Sequence, residues 1–113
     1  MSEYLLILTT VPDEKTAKAI SRTLVDERLA ACVSLSSSCQ STYRWQEKVN
    51  LDREYMLFIK TQAPCYPELE KRLAAIHPYD VPEIIAIPLA NGYGKYLNWM
   101  KEETNPEKKE GSR

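Results

Sequence analysis

The sequence predicts an α+β domain of the ferredoxin-like kind, with β-α-β-β-α-β order, one antiparallel sheet, helices on one face and a short C-terminal helix. Three observations predict it. Tyr4 to Val11 is a near-continuous apolar run of strand length. Ala17, Ile20 and Leu24, and later Leu69, Leu73 and Ile76, recur at helical spacing. Between them lies a stretch of two-residue alternation kept up for an unusual length.

Each element has its own signals. Pro12-Asp13 stops the first strand, and Asp13 is a good helix N-cap with Glu14 in the first turn. The first helix is expected to run to about Leu29, with Lys15, Lys18, Arg22 and Asp26 on its wet face. The second strand starts at Ala31 or Cys32. Its odd positions Val33, Leu35, Cys39, Tyr43 and Trp45 are mostly apolar, whereas Ser34, Ser36, Ser38, Gln40, Thr42, Arg44 and Gln46 are polar. Glu47 to Asn50 reads as a turn, followed by a third strand from about Leu51 to Thr61 with Tyr55, Leu57 and Ile59 on one face. Ala63 to Pro67 is a connector, and Pro67 suits the first turn of the second helix, which Pro78 ends. A fourth strand, Glu83 to Leu89, a turn at Asn91-Gly92-Tyr93-Gly94 and a final helix carrying Tyr96, Leu97, Trp99 and Met100 complete the order. Residues 1–103 form a single domain on this reading, and 104–113 a polar, frayed tail.

Composition narrows the function classes. The chain has 113 residues, 43% hydrophobic and 27% charged, with a formal net charge of −1. That supplies no basic field for nucleic acid or an anionic membrane, and no apolar run approaches the roughly 20 residues that span a bilayer. Met1-Ser2-Glu3 leads straight into the first strand, so the expected compartment is the cytoplasm. Three cysteines without a CxxC do not make a disulfide framework.

The hairpin is too long for its domain. Cys32 to Glu47 spans roughly 50 Å when extended at about 3.3 Å per residue, against a diameter of about 35 Å for a compact domain of this size. Either the strand bends, around Ser36-Ser37-Ser38, or it projects and pairs with other copies in a closed ring. The homo-oligomer is the reading favoured here, with Tyr43, Trp45, Tyr55 and Trp99 as interface or core residues. With no basic patch beside them they do not form a stacking platform for nucleic acid.

Chemistry concentrates in His77-Pro78-Tyr79-Asp80-Val81-Pro82-Glu83, which holds the only histidine. The prolines stiffen it and push His77 and Val81 toward extended backbone. His77 with Asp80 or Glu83 suits a divalent metal or small ligand, general acid–base work, or a plain helix-to-strand joint. Cys32 and Cys39 are seven apart, so on a regular strand they face opposite sides, roughly 23 Å apart. They cannot share an ion unless a bulge intervenes, and as small packed residues they need no further role. Cys65 lies a helix away from His77, about 18 Å. A Cys/His site within one chain is therefore not expected, although one shared between subunits is open.

Asp26-Glu27-Arg28-Leu29-Ala30-Ala31-Cys32-Val33, Tyr43-Arg44-Trp45, Lys60-Thr61, His77 to Ile84 and Tyr96-Leu97-Asn98-Trp99 closely resemble the CutA family of divalent-cation tolerance proteins. The resemblance covers about Tyr4 to Met100 in order and spacing. It implies a PII-like subunit, a tight homotrimer built through extended strands, and a non-enzymatic link to tolerance of copper and other divalent ions. No cofactor is required on that reading; copper or another divalent cation is the expected ligand and His77 its candidate residue. Asp80, Glu83 and Cys32 are lesser candidates. An unidentified protein partner, or a small ligand in clefts between subunits, is the alternative. The sequence departs from the family where Ser37-Ser38 replace a usual Pro-Gly step, at Cys39, and at Glu47, where glycine is common. Thr9 and Ile76 stand where some bacterial members offer a cysteine and a second histidine as proposed copper ligands.

Overall fold

A computed structural model describes residues 3–105. The element order is β1 (Tyr4–Val11), α1 (Glu14–Asp26), β2 (Cys32–Trp45), β3 (Lys48–Gln62), a 3-10 turn (Ala63–Cys65), α2 (Tyr66–Ile76), β4 (Ile85–Pro88) and α3 (Gly94–Glu103). The four strands form one antiparallel sheet in the order β2-β3-β1-β4, the ferredoxin-like arrangement that the sequence predicts.

One face of the sheet carries the core. Ile7 and Val11 of β1 and Leu57 and Ile59 of β3 meet Ala17, Ile20 and Leu24 of α1 and Leu69 and Leu73 of α2, all buried. Thr9 lies in the same row, fully buried, and its hydroxyl has no partner among the described residues. Thr9→Val removes that stranded hydroxyl at nearly constant volume, so it should raise stability by about 1 kcal/mol. A denaturant midpoint that falls instead would mean the hydroxyl is bonded.

Local chemistry sets the boundaries. Asp13 caps α1, its Oδ1 accepting from the Thr16 N–H at 2.7 Å, and that bond holds its carboxyl below the usual carboxylate range. The helix stops at Asp26, three residues before the expected Leu29. Arg28 takes a left-handed φ of 60°, and the Leu29 N–H returns to the Leu24 carbonyl while the Arg28 N–H returns to that of Val25. This is a Schellman closure with arginine where glycine is usual, a conformation that costs about 1–2 kcal/mol. The Arg28 guanidinium is largely buried and meets Glu103 of α3 at 3.0 Å, which opposes that cost.

The hairpin turn is Gln46-Glu47 alone, shorter than the expected Glu47 to Asn50. Both residues have positive φ, 50° and 65°, as a two-residue type I′ turn requires. β3 therefore starts at Lys48, opposite Trp45. β4 is correspondingly shorter than Glu83 to Leu89.

Within β2, Leu35 pairs with Leu57 but Ser38 with Tyr55, so the strand carries one extra residue at Ser36-Ser37. The Ser36 hydroxyl accepts from the Met56 N–H at 3.1 Å, standing in for the ladder bond the bulge breaks. The bulge inverts the strand's parity. Val33 and Leu35 face the helices, whereas Cys39, Tyr43 and Trp45 share the opposite face with Glu54, Asn50 and Lys48. The expected single apolar row is thus two rows on two faces, and Cys32 and Cys39 lie on the same face. They remain roughly 20 Å apart, since their partners Lys60 and Glu54 are six residues apart on β3.

The strand both bulges and projects. The principal extents are 49 × 31 × 24 Å and the radius of gyration is 14.8 Å, above the about 13 Å of a compact domain this size. At the far end α3 is fixed to β3, with the Gln62 side chain donating to the carbonyls of Lys101 and Thr104. Thr104, expected at the head of the frayed tail, is fully buried, and its carbonyl accepts from Cys65 Sγ at 3.0 Å. Residues 106–113 of that tail lie outside the described residues.

Candidate functional site

His77 caps the end of α2. The proline behind it leaves it extended, at φ −75° and ψ 138°, which turns the ring inward under β1. The imidazole is 7% exposed. Its Nε2 lies 2.9 Å from the Thr10 carbonyl, and its Nδ1 accepts the Tyr79 N–H at 3.1 Å. An Nδ1 that accepts leaves the proton on Nε2, which donates to Thr10, so the ring is neutral with both nitrogens engaged. Burial pulls its pKa below 6.5, against smaller upward pulls from the Thr10 bond and the Glu54 charge.

Tyr79 continues the chain of contacts. Its ring lies 4.9 Å from the imidazole, and its hydroxyl donates to Glu54 Oε2 at 2.7 Å. Burial first, and then Glu54, push the phenol far above its ordinary range. Glu54 is only 6% exposed although it is a carboxylate on the face away from the helices. Two residues along β3, Asp52 accepts from the Tyr43 hydroxyl, and that bond raises the Tyr43 phenol.

This geometry redistributes the predicted site. His77 is brought to Thr10, Tyr79 and Glu54. Asp80 and Glu83 are exposed, with no hydrogen bond to the imidazole. A copper or zinc ion needs a ring nitrogen with a free lone pair, and His77 has none in this arrangement. Among the described residues no group of three or more His, Cys, Asp or Glu is placed to hold a metal ion. The residues around His77 therefore do not fit a resident divalent ion. Cys32 lies by Lys60 and Ser34, Cys39 opposite Glu54, and Cys65 in the core.

Of the four expected interface residues, Tyr43 and Trp45 are 41% and 43% exposed on the face away from α1 and α2. Trp99 is exposed on α3, its ring tilted against that of Tyr96 with 5.5 Å between centroids. Tyr55 packs against the helical core instead. The same open face carries Leu6, Leu8, Met56 and Phe58, half-buried, with Ile85 and Ile87 exposed beside them on β4. Glu54 was missed from sequence because a carboxylate among Asp52, Arg53 and Tyr55 reads as a wet strand face. Only the Tyr79 contact shows it to be buried.

The fold and site define a small ferredoxin-like α+β protein that leaves one sheet face largely apolar and locks its histidine into the backbone. Comparison with known proteins gives the particular family. The family profile described as CutA1 divalent ion tolerance protein matches residues 5–103, and the chain belongs to that family. The divalent-cation tolerance protein CutA of Thermus thermophilus is 48% identical over 99 residues, covering 88% of this chain and 96% of that protein. Protein CutA of Mus musculus is 43% identical over 95 residues, and there this chain spans about half of the relative, 54%. The CutA structure from Xylella fastidiosa superposes with a TM-score of 0.89 at 45% identity, covering 92% of this chain and 100% of that one. A CutA structure from Archaeoglobus fulgidus, described as periplasmic, gives 0.87 at 29% identity over 90% and 99%. The descriptions of the family profile and of the Thermus thermophilus and Archaeoglobus fulgidus proteins name tolerance to divalent ions or cations, and no description of these relatives names a reaction. No helix among the described residues is long and apolar enough to cross a membrane.

Proposed function

We propose that the chain acts without catalysis in the cell's response to divalent metal ions, as a homotrimer whose working surfaces lie in PII-like clefts between subunits. The open sheet face carries this reading. Phe58, Met56, Leu6 and Leu8, half-buried, and Ile85 and Ile87, exposed, form an apolar surface that the described chain covers only in part, and Tyr43 and Trp45 extend it along the projecting hairpin. A surface of that kind is stable in water when other copies cover it. A hairpin longer than its own core reaches onto a neighbour, the head-to-tail contact that closes a ring, and the family resemblance supplies the number three. Three unpaired cysteines suit a reducing cytoplasm.

Copper or another divalent cation, on this reading, does not sit on His77. Calorimetric titration of copper(II), zinc and nickel into the wild type and His77→Ala, at a temperature where both are folded, should give the same isotherm for both. Saturable binding that vanishes in the variant would place the ion on the imidazole and overturn this assignment.

A further inference from the structure

The open face is charged unevenly. Toward the hairpin it carries Asp52 and Glu54, each engaged by a tyrosine hydroxyl. Toward α3 it carries Lys60, whose Nζ lies 2.5 Å from Ser34 Oγ and 3.8 Å from Cys32 Sγ. The ion pairs formed by the described residues all lie elsewhere, so this ammonium has no carboxylate within 4 Å among them. Glu54, six residues along the same strand, is roughly 20 Å away and cannot reach it within one chain. Tyr96, on the first turns of α3, closes the third side: burial, and then the neighbouring Cys32 thiol, raise its phenol.

Three donor groups from three elements thus converge. They meet around the Cys32 sulfur. Lys60 brings an ammonium with three protons, and Ser34 accepts from it with its own hydroxyl oxygen 4.0 Å from that sulfur. Tyr96 brings a phenolic O–H hydrogen-bonded to the same thiol. An anion can draw both hydroxyls away from a weak sulfur acceptor. A lone cation on a face that assembly covers is costly without an anion beside it. A phosphate group matches this set better than a carboxylate, since it carries up to two charges and more acceptor oxygens for donors arriving from different sides. Beside the cluster, the tilted pair Tyr96 and Trp99 is 40% and 41% exposed and presents aromatic surface to whatever the phosphate carries.

We infer that Lys60, Ser34 and Tyr96 form a binding site for the phosphate group of a small phosphorylated molecule, at the end of the open face between β2, β3 and α3. The site deepens the cleft reading above and rests on it only in that assembly encloses it.

Inorganic phosphate is the probe, titrated at low ionic strength into the wild type, Lys60→Met, Ser34→Ala, Tyr96→Phe and Lys48→Met. Saturable binding in the wild type should weaken about tenfold or more in Lys60→Met and severalfold in Ser34→Ala and Tyr96→Phe. It should be unchanged in Lys48→Met, whose lysine lies on the same face at the hairpin tip. Should Lys60→Met fail to fold, the other two variants carry the test. Binding that is absent, that survives Lys60→Met, or that falls equally in Lys48→Met would overturn the site, as would acetate competing on equal terms with phosphate. Light scattering on the same samples separates the two readings. A single-subunit mass with phosphate bound removes the assembly and leaves the site, whereas a three-subunit mass without phosphate binding does the reverse.

Discussion

Trp45→Asp is expected to turn a three-subunit particle into folded single subunits. Trp45 stands at the end of β2 beside the Gln46-Glu47 turn, 43% exposed, and the bulge has put it on the open face with Tyr43. Within one subunit it supports no core, so the substitution should change subunit stability by no more than about 0.5 kcal/mol. Between subunits the effect is large. A buried tryptophan at the centre of a contact is commonly worth 2 kcal/mol or more, roughly a thirtyfold weakening at each interface, and a buried unpaired carboxylate adds to it. Light scattering should show the mass falling to one subunit while circular dichroism stays unchanged. A mass that stays at three would remove Trp45 from the interface and leave the half-buried centre of the sheet face to account for assembly.

The second large effect belongs to His77. His77→Ala deletes a buried ring that ties the end of α2 to β1 and to the segment behind it, and it strands the Thr10 carbonyl and the Tyr79 N–H. Two orphaned buried groups and a cavity should together cost about 2–4 kcal/mol. The same burial predicts a pH dependence. The folded-state pKa lies below the unfolded value of about 6.5, so the unfolded chain takes up its proton first as pH falls. Stability from the neutral ring is fully present above pH 6.5 and declines below it, down to the folded-state pKa. Protonation also removes the Nδ1 lone pair that accepts from Tyr79. Urea midpoints measured between pH 7.5 and 5 should fall for the wild type and stay flatter for His77→Phe in that window. Parallel declines would assign the loss to carboxylates instead.

The fold was legible because its signals are local. The β1 run, the Asp13 cap, Pro67 in a first turn and the helical spacing of the two amphipathic segments each act within a few residues, and together they admit one topology. The site was less legible because its key relations are between strands. The alternation from Val33 to Trp45 looks unbroken in sequence, yet the extra residue at Ser36-Ser37 divides it between two faces. The serine run marks where a bend can fall, but serines fit a regular strand and a bulge equally well, so it does not show that one extra residue inverts the parity. His77 stands out in the sequence by its setting among prolines, and the carboxylates expected beside it, Asp80 and Glu83, are its sequence neighbours. The carboxylate near it is Glu54, twenty-three positions earlier, reached through Tyr79. Glu47, where glycine is common in the family, takes a φ of 65°, the region that glycine enters without a Cβ penalty.

The strand order sets a timetable for synthesis. β1 is made before its partners, yet it occupies the middle of the sheet, between β3 and β4. A ribosome that has finished Val11 must still add everything to Ile85 before the second edge of that strand can be covered, which takes roughly 4–15 s at about 5–20 residues per second. For that interval Leu5-Leu6-Ile7-Leu8 is an apolar segment with unmet backbone groups, the kind of template on which nascent chains stick to one another. Any chain cut off before β4 keeps that open edge permanently. The last third of the molecule therefore acts, in effect, as the chaperone of its first strand.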